Sequence, residues 1–223
     1  MMNIPKIGLG TWGMGGRFEK DEGNLQQSID ALRMGLQLGF RLIDTAELYG
    51  NGLTESIVGE AIKEFSRKDI FLITKVSREH LAYQDVHEAI EGSLKRLKTN
   101  YIDLYLVHKD NPAIPLAETM RALEDLADKG LTRFIGVSNF SDELTKEAQS
   151  YLDHSAVAAN QIEYNLCTQR SAEKETIPYC KKHGIVIIAQ RPFAKGDLLN
   201  HAIPVVDSLA EKYKKTRAQI MLN

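Results

Sequence analysis

Short apolar runs recur about every thirty residues through most of this chain, and several end in groups that an apolar interior disfavours. The clearest are LIDTAELYG (42–50), FLITK (71–75) and LYLVHK (104–109). In full they read as buried strands over 40–45, 70–76 and 102–108, joined by further runs at 133–138, 157–163 and 185–191. A weaker seventh, KIGLGTW (6–12), opens the chain, its glycines lowering strand propensity. A spacing near thirty residues fits one strand plus one crossover helix, which makes consecutive runs parallel neighbours in one sheet. IVIIA (185–189) is apolar on both faces, as a parallel strand covered by helices should be.

Helical periodicity fills the intervals. Ile29, Leu32 and Leu36 share one face, and Gly39 is placed to end that helix. Val86, Ile90, Leu94 and Leu97 form a second stripe backed by Glu88, Glu91, Lys95 and Lys98, with Asp85 and Glu88 resembling a capping signal at its start. Leu116, Met120, Leu123 and Ala127 make a third, which Gly130 should stop. With no composition break or low-complexity linker, residues 1–223 read as a single α/β domain.

Alternating βα units fit a closed barrel or an open doubly wound sheet. The open sheet of dinucleotide-binding proteins carries G-x-G-x-x-G after its first strand. GLGTWGMGG (8–16) offers G-x-G with Gly13 at the third-glycine position, but glycine-rich loops are common and Trp12 has no role in a phosphate turn. Polar residues at the ends of at least five successive strands favour the barrel, whose chemistry sits at the carboxyl ends of its strands.

Composition narrows the partners. A formal net charge of −2 and a pI near 6.3 give no electrostatic case for nucleic acid or an anionic membrane surface. The opening MMNIPKIGLG lacks the pattern of a secretory signal, and no apolar run approaches the roughly 18 residues of a membrane span. Cys167 and Cys180 have neither zinc-site spacing nor the number for a disulfide framework. A cytoplasmic protein without a metal is the expectation.

Asp44, Tyr49, Lys75 and His108 stand at the ends of three successive strands and should converge at one mouth. A phenol ordinarily titrates near pH 10, so Tyr49 becomes a useful acid only where a nearby cation favours its phenolate. Lys75 can supply that cation, with Asp44 as its counter-charge. A neutral His108 imidazole could donate a hydrogen bond to a carbonyl oxygen. The implied reaction protonates a carbonyl oxygen while hydride reaches the carbon, and hydride requires a nicotinamide cofactor. Ser138 and Asn139 in IGVSNF (135–140) and Gln161 in ANQIEYN (159–165) could pair with the nicotinamide carboxamide; alternatively, Ser138 and Asn139 cap the following helix.

Taken in order, GLGTW (8–12), LIDTAELYG (42–50), FLITK (71–75), LYLVHK (104–109), GVSNF (136–140) and NQIEYN (160–165) closely resemble the aldo-keto reductase family over nearly the whole chain. The resemblance implies a (β/α)8 TIM-type barrel that reduces an aldehyde or ketone with NADPH, NADH being the alternative. By motif match it makes Tyr49 the proton donor, Lys75 the group that lowers its pKa, Asp44 the partner of Lys75 and His108 the orienter of the carbonyl. Gly10, Thr11, Trp12, Asp44, Ser138, Asn139 and Gln161 would border the cofactor or the small-molecule carbonyl substrate.

Two departures accompany the match. IIAQRPFAKG (187–196) has Gln190 where much of the family carries an aromatic that stacks on the nicotinamide. The sequence stops at TRAQIMLN (216–223), which reads as the start of a helix, after seven strands. The expectation is therefore a barrel truncated after its seventh strand, lacking the eighth βα unit that would supply the basic residues for the adenosine 2′-phosphate. A catalytically weak nicotinamide-binding barrel, as regulatory subunit or truncated remnant, is the competing function.

Overall fold

The computed structural model describes residues 2–222. Seven strands form one sheet in sequence order, every neighbouring pair parallel: β1 (Leu9–Gly10), β2 (Leu42–Asp44), β3 (Phe71–Val76), β4 (Ile102–Val107), β5 (Thr132–Ser138), β6 (Val157–Glu163) and β7 (Val186–Gln190). The crossovers are α1 (Leu25–Gln37), α2 (Leu53–Ile62), α3 (Tyr83–Leu97), α4 (Leu116–Asp128), α5 (Asp142–Ser150) and the pair α6 (Gln169–Lys174) and α7 (Thr176–Lys182). After β7 come α8 (Asp197–Asn200), α9 (Pro204–Tyr213) and α10 (Arg217–Met221). Among the described residues no ladder joins β7 to β1, so the fold is a TIM-type half-barrel without an eighth strand.

Side chains alternate across each strand with a period of two, and this divides the core into two layers. Outward-facing Ile43, Leu72, Tyr105, Val107, Ile135 and Val137 pack against helix stripes that include Ile29, Leu32 and Leu36, then Val86, Ile90 and Leu97, then Met120 and Leu123. Inward-facing Leu42, Ile73, Leu104, Leu106 and Ala159 form the second layer with Phe71, Phe134, Val186 and Ile188, and Met2 and Ile4 pack on it. Each fully buried aliphatic side chain contributes about 1.5–3 kcal/mol. Continuing the inward series in steps of two, one step on most strands and two on β5, reaches Asp44, Lys75, His108, Ser138, Gln161 and Gln190. The period that builds the apolar layer therefore places all six polar groups at the carboxyl end of the sheet.

Local signals fared unevenly. Gly39 at φ +100° and Gly130 at φ +70° follow α1 and α4 as expected, in a conformation glycine adopts without a Cβ clash. Thr216 starts α10 with a full capping box to Gln219, which agrees with a helix beginning in TRAQIMLN; Asn223 lies outside the described residues. The capping signal at Asp85 and Glu88 is corrected: the residue preceding α3 is Ala82, with no side-chain cap bond. Asp85 instead lies in the first turn, where its charge complements the helix dipole. The opening strand shrinks from 6–12 to two residues, Leu9–Gly10, and the second from 40–45 to three, Leu42–Asp44.

Close packing of α2 on α3 depends on Gly59. A Cβ there would lie 2.5 Å from the carbonyl oxygen of Arg96 and 2.8 Å from the carbonyl carbon of Leu97. In an exposed helix Gly→Ala gains up to about 1 kcal/mol. Here the clash with rigid backbone reverses the sign: Gly59→Ala should lower stability by about 1–3 kcal/mol in urea unfolding. A stabilised variant would show that the two helices separate without cost.

Candidate active site

Lys75 ends an apolar strand and is fully buried, so its ammonium needs partners inside the protein. Nζ donates to Asp44 Oδ1 and Oδ2 at 2.9 and 3.0 Å and to the Thr45 carbonyl oxygen at 2.7 Å. It also lies 3.5 Å from the Tyr49 hydroxyl. Asp44 in turn accepts from Gln161 Nε2 at 3.0 Å, and its carbonyl oxygen takes bonds from the Thr11 amide at 3.1 Å and the Thr11 hydroxyl at 2.9 Å. Gly10 pairs with Asp44 across the β1–β2 ladder, and a Cβ added at Gly10 would meet nothing within 4 Å.

Tyr49 comes from the loop after β2 and heads a 3-10 turn over Tyr49–Gly52. Its ring is walled by Trp12 at 4.8 Å between centroids (74° between planes) and by His108 at 5.5 Å (72°). Both are edge-to-face arrangements, the geometry aromatic pairs prefer. Phe18, which went unremarked in the sequence, packs on Trp12 at 5.1 Å. His108 follows β4, its amide bound to the Val76 carbonyl at 3.0 Å, and its Nδ1 is buried without a hydrogen-bond partner.

The remaining sequence candidates form a connected set of amides beside this group. Asn139, at φ +61°, donates through Nδ2 to Ser138 Oγ at 2.9 Å and to the His108 carbonyl at 3.4 Å. Gln190 Nε2 donates to Asn139 Oδ1 at 2.7 Å. The alternative that Ser138 and Asn139 cap α5 is set aside, because Ser141 is the cap and accepts from the Leu144 amide. All eleven candidate residues thus lie along the carboxyl end of the sheet, from β1 to β7.

Electrostatics separates the roles open to these groups. Burial pushes the Tyr49 phenol up, the Lys75 charge pulls it back, and the net direction is above its ordinary value. The lowering that Lys75 was expected to exert is present but does not prevail. Burial opposes the Lys75 charge too, yet Asp44 and Tyr49 outweigh it and hold the ammonium above its usual range. Burial, with Lys75 and Arg191 nearby, takes His108 down to about 3, so its imidazole is neutral at pH 7. The set therefore presents a protonated phenol, a permanent cation and a neutral imidazole around one opening.

Several residues of consequence were missed in the sequence. Glu47 is buried and accepts from the Ser77 amide at 2.6 Å, the Ser77 hydroxyl at 2.8 Å and the His80 ring at 3.0 Å. Glu55 is fully buried between Thr74 and Arg96. Their signal was a charge within an otherwise packed segment, two residues before Tyr49 and six after it. Arg191, at φ +53° beyond β7, pairs with Glu163 at 2.9 Å and acts on both Tyr49 and His108. Among the described residues no group of three or more His, Cys, Asp or Glu could hold a metal ion, and no helix is long and apolar enough to cross a membrane.

Comparison with known proteins supplies the family. A profile described as the aldo/keto reductase family matches residues 6–221. Methylglyoxal reductase YeaE of Escherichia coli K12 is 34% identical over 99% of this chain, which covers 76% of that protein. Aldo-keto reductase YhdN of Bacillus subtilis is 39% identical over 86% of the chain, which spans 59% of YhdN. An aldo/keto reductase from Klebsiella pneumoniae, solved with NADP and acetate, superposes with a TM-score of 0.86 at 36% identity, over 98% of this chain and 76% of that one. Matched almost end to end by the profile and by relatives above 30% identity, the chain belongs to the aldo/keto reductase family of NAD(P)H-dependent oxidoreductases.

Proposed function

We propose that the chain reduces an aldehyde or ketone to the alcohol, with Tyr49 as the proton donor and NADPH as the cofactor. The observation that carries this reading is the Tyr49 hydroxyl 3.5 Å from a fully buried Lys75 ammonium that Asp44 holds with two hydrogen bonds. A nicotinamide cofactor fits the residues present. The Ser138, Asn139, Gln161 and Gln190 groups offer donors and acceptors for a carboxamide, and the space over Gly10 is open to a flat ring. When bound, the cofactor supplies the hydride.

The chain's own groups handle the proton. Tyr49 is protonated at neutral pH and releases its proton to the carbonyl oxygen as negative charge develops there. The phenolate left behind faces the Lys75 ammonium, which stabilises it without moving. Asp44 keeps that ammonium charged and in place. His108, being neutral, donates a hydrogen bond to the same carbonyl oxygen and does not compete as an acid. Trp12 and the Tyr49 ring wall the opening with aromatic edges. Small dicarbonyls, the class recorded in the name of YeaE, suit such an opening and are the substrates of choice for a first test.

Tyr49→Phe should lower kcat by about 10²- to 10⁴-fold in an assay of NADPH oxidation, with cofactor binding by fluorescence titration unchanged. Equal rates in the two proteins would remove Tyr49 from the reaction.

His108 gives a stability test whose sign follows from its pKa, near 6.5 unfolded and about 3 folded. Below pH 6.5 the unfolded chain binds a proton there that the native protein refuses until about pH 3, so acid lowers stability across this window. One such group contributes a slope of up to about 1.4 kcal/mol per pH unit. In urea unfolding between pH 4 and 7, His108→Asn should flatten the dependence; parallel slopes would contradict a neutral, buried imidazole.

A further inference from the structure

Lys75 and Tyr49 come from different elements, and their 3.5 Å spacing has to be held by something. The Tyr49–Gly52 turn is poorly suited to hold itself, since Gly50, Asn51 and Gly52 have φ values of +53°, +47° and +83°. Such backbone persists where the surroundings fix it. Glu47 and Glu55 flank this turn, and both carboxylates are buried.

One guanidinium serves both. Arg96, in the last turn of α3, donates through Nε to Glu55 Oε2 at 2.7 Å, and its terminal nitrogen pairs with the same oxygen at 2.7 Å. That nitrogen also lies 4.0 Å from Glu47 Oε2. The two carboxylates reach on to the strand that carries Lys75. Glu55 Oε1 accepts from the Thr74 hydroxyl at 2.6 Å, immediately before Lys75, and Glu47 holds Ser77, two residues after it. The Arg96 side chain also fills the space beneath the turn. A Cβ on Gly52 would come within 2.9 Å of its Cδ, and one on Gly92 within 3.0 Å of a terminal nitrogen.

We propose that Arg96 is a positioning residue for the reaction at Tyr49: through Glu55 and Glu47 it locks the tyrosine-bearing turn against the lysine-bearing strand. The inference rests on the carbonyl-reductase reading for its functional consequence, but the placement of Tyr49 can be measured without turnover. Charge-assisted bonds to a buried carboxylate suit the task, because a guanidinium donating through two nitrogens fixes direction as well as distance. A lysine at this position would keep the charge and lose the fork.

The test labels tyrosine with 13C at Cζ and follows the Tyr49 resonance, assigned by its loss in Tyr49→Phe. Arg96→Met leaves Glu55 buried and unpaired, so the informative variant is the double Arg96→Met with Glu55→Gln, which removes the stranded charge. Arg96→Lys supplies the reading if the double variant does not fold. The expected result in the folded double variant is a displaced Tyr49 resonance and a kcat lower by about tenfold or more, with NADPH affinity within about twofold of the original. Arg96→Lys should recover part of both effects. An unmoved resonance in a folded variant overturns the proposal, whatever happens to kcat. A displaced resonance with kcat unchanged in an active enzyme also overturns it. If the unaltered chain reduces no carbonyl while the resonance moves as expected, the carbonyl-reductase reading fails and the lock on Tyr49 stands.

Discussion

A buried ammonium is the constraint on which the rest of this structure depends. Lys75 has no contact with solvent, and an unpaired charge in such a place would cost several kcal/mol. Its three partners settle much of the architecture around it. Asp44 has to stand at the end of the adjacent strand, the Thr45 carbonyl has to turn inward, and the Tyr49 loop has to fold back over both. Gln161 from β6 reaches across the mouth to Asp44 and ties the far side of the sheet into the same network. The charge that threatens the fold is thus also what organises the mouth.

Around that charge the protein separates rigid parts from adaptable ones. Tyr49 and Lys75 stand on a turn and a strand, with two further buried carboxylates outside the sheet. Glu47 and Glu55 occupy that outer layer with Arg96, on either side of Tyr49 in the chain. The amides on β5 to β7 are held more lightly. Gln190, Asn139 and Ser138 form a chain of neutral side-chain bonds, with no charge among them. Gln190 occupies the position where an aromatic side chain was expected, and it makes a directional contact to Asn139 in place of a stacking face.

Strand order and the gathering of the candidate residues at one end of the sheet were legible from the chain because both rest on local regularities. The thirty-residue spacing sets parallel neighbours, and the two-residue alternation carries Leu42 to Asp44, Ile73 to Lys75 and Leu106 to His108. Gly39 and Gly130 marked helix ends for an equally local reason, a backbone angle that costs glycine little. Where the reading failed, another contact competed. Asp85 has the spacing of a capping signal, yet the chain enters α3 from an extended Ala82, and Asp85 falls within the first turn. Ser138 and Asn139 precede a helix, but Ser141 caps it, which leaves them on the site.

By itself the sequence determined the parallel βα order, the inward placement of the candidate residues and the type of chemistry they can support. Periodicity and residue chemistry act over a few neighbouring positions and survive without tertiary contacts. Only the tertiary structure decided how the charges balance. Burial raises the Tyr49 phenol against the pull of Lys75 and drives His108 to neutrality. It also brings Arg96 from α3 beneath a turn more than forty residues earlier, between Glu47 and Glu55. Desolvation and long-range ion pairing depend on what surrounds a group in three dimensions, and no local pattern in the chain encodes that surrounding.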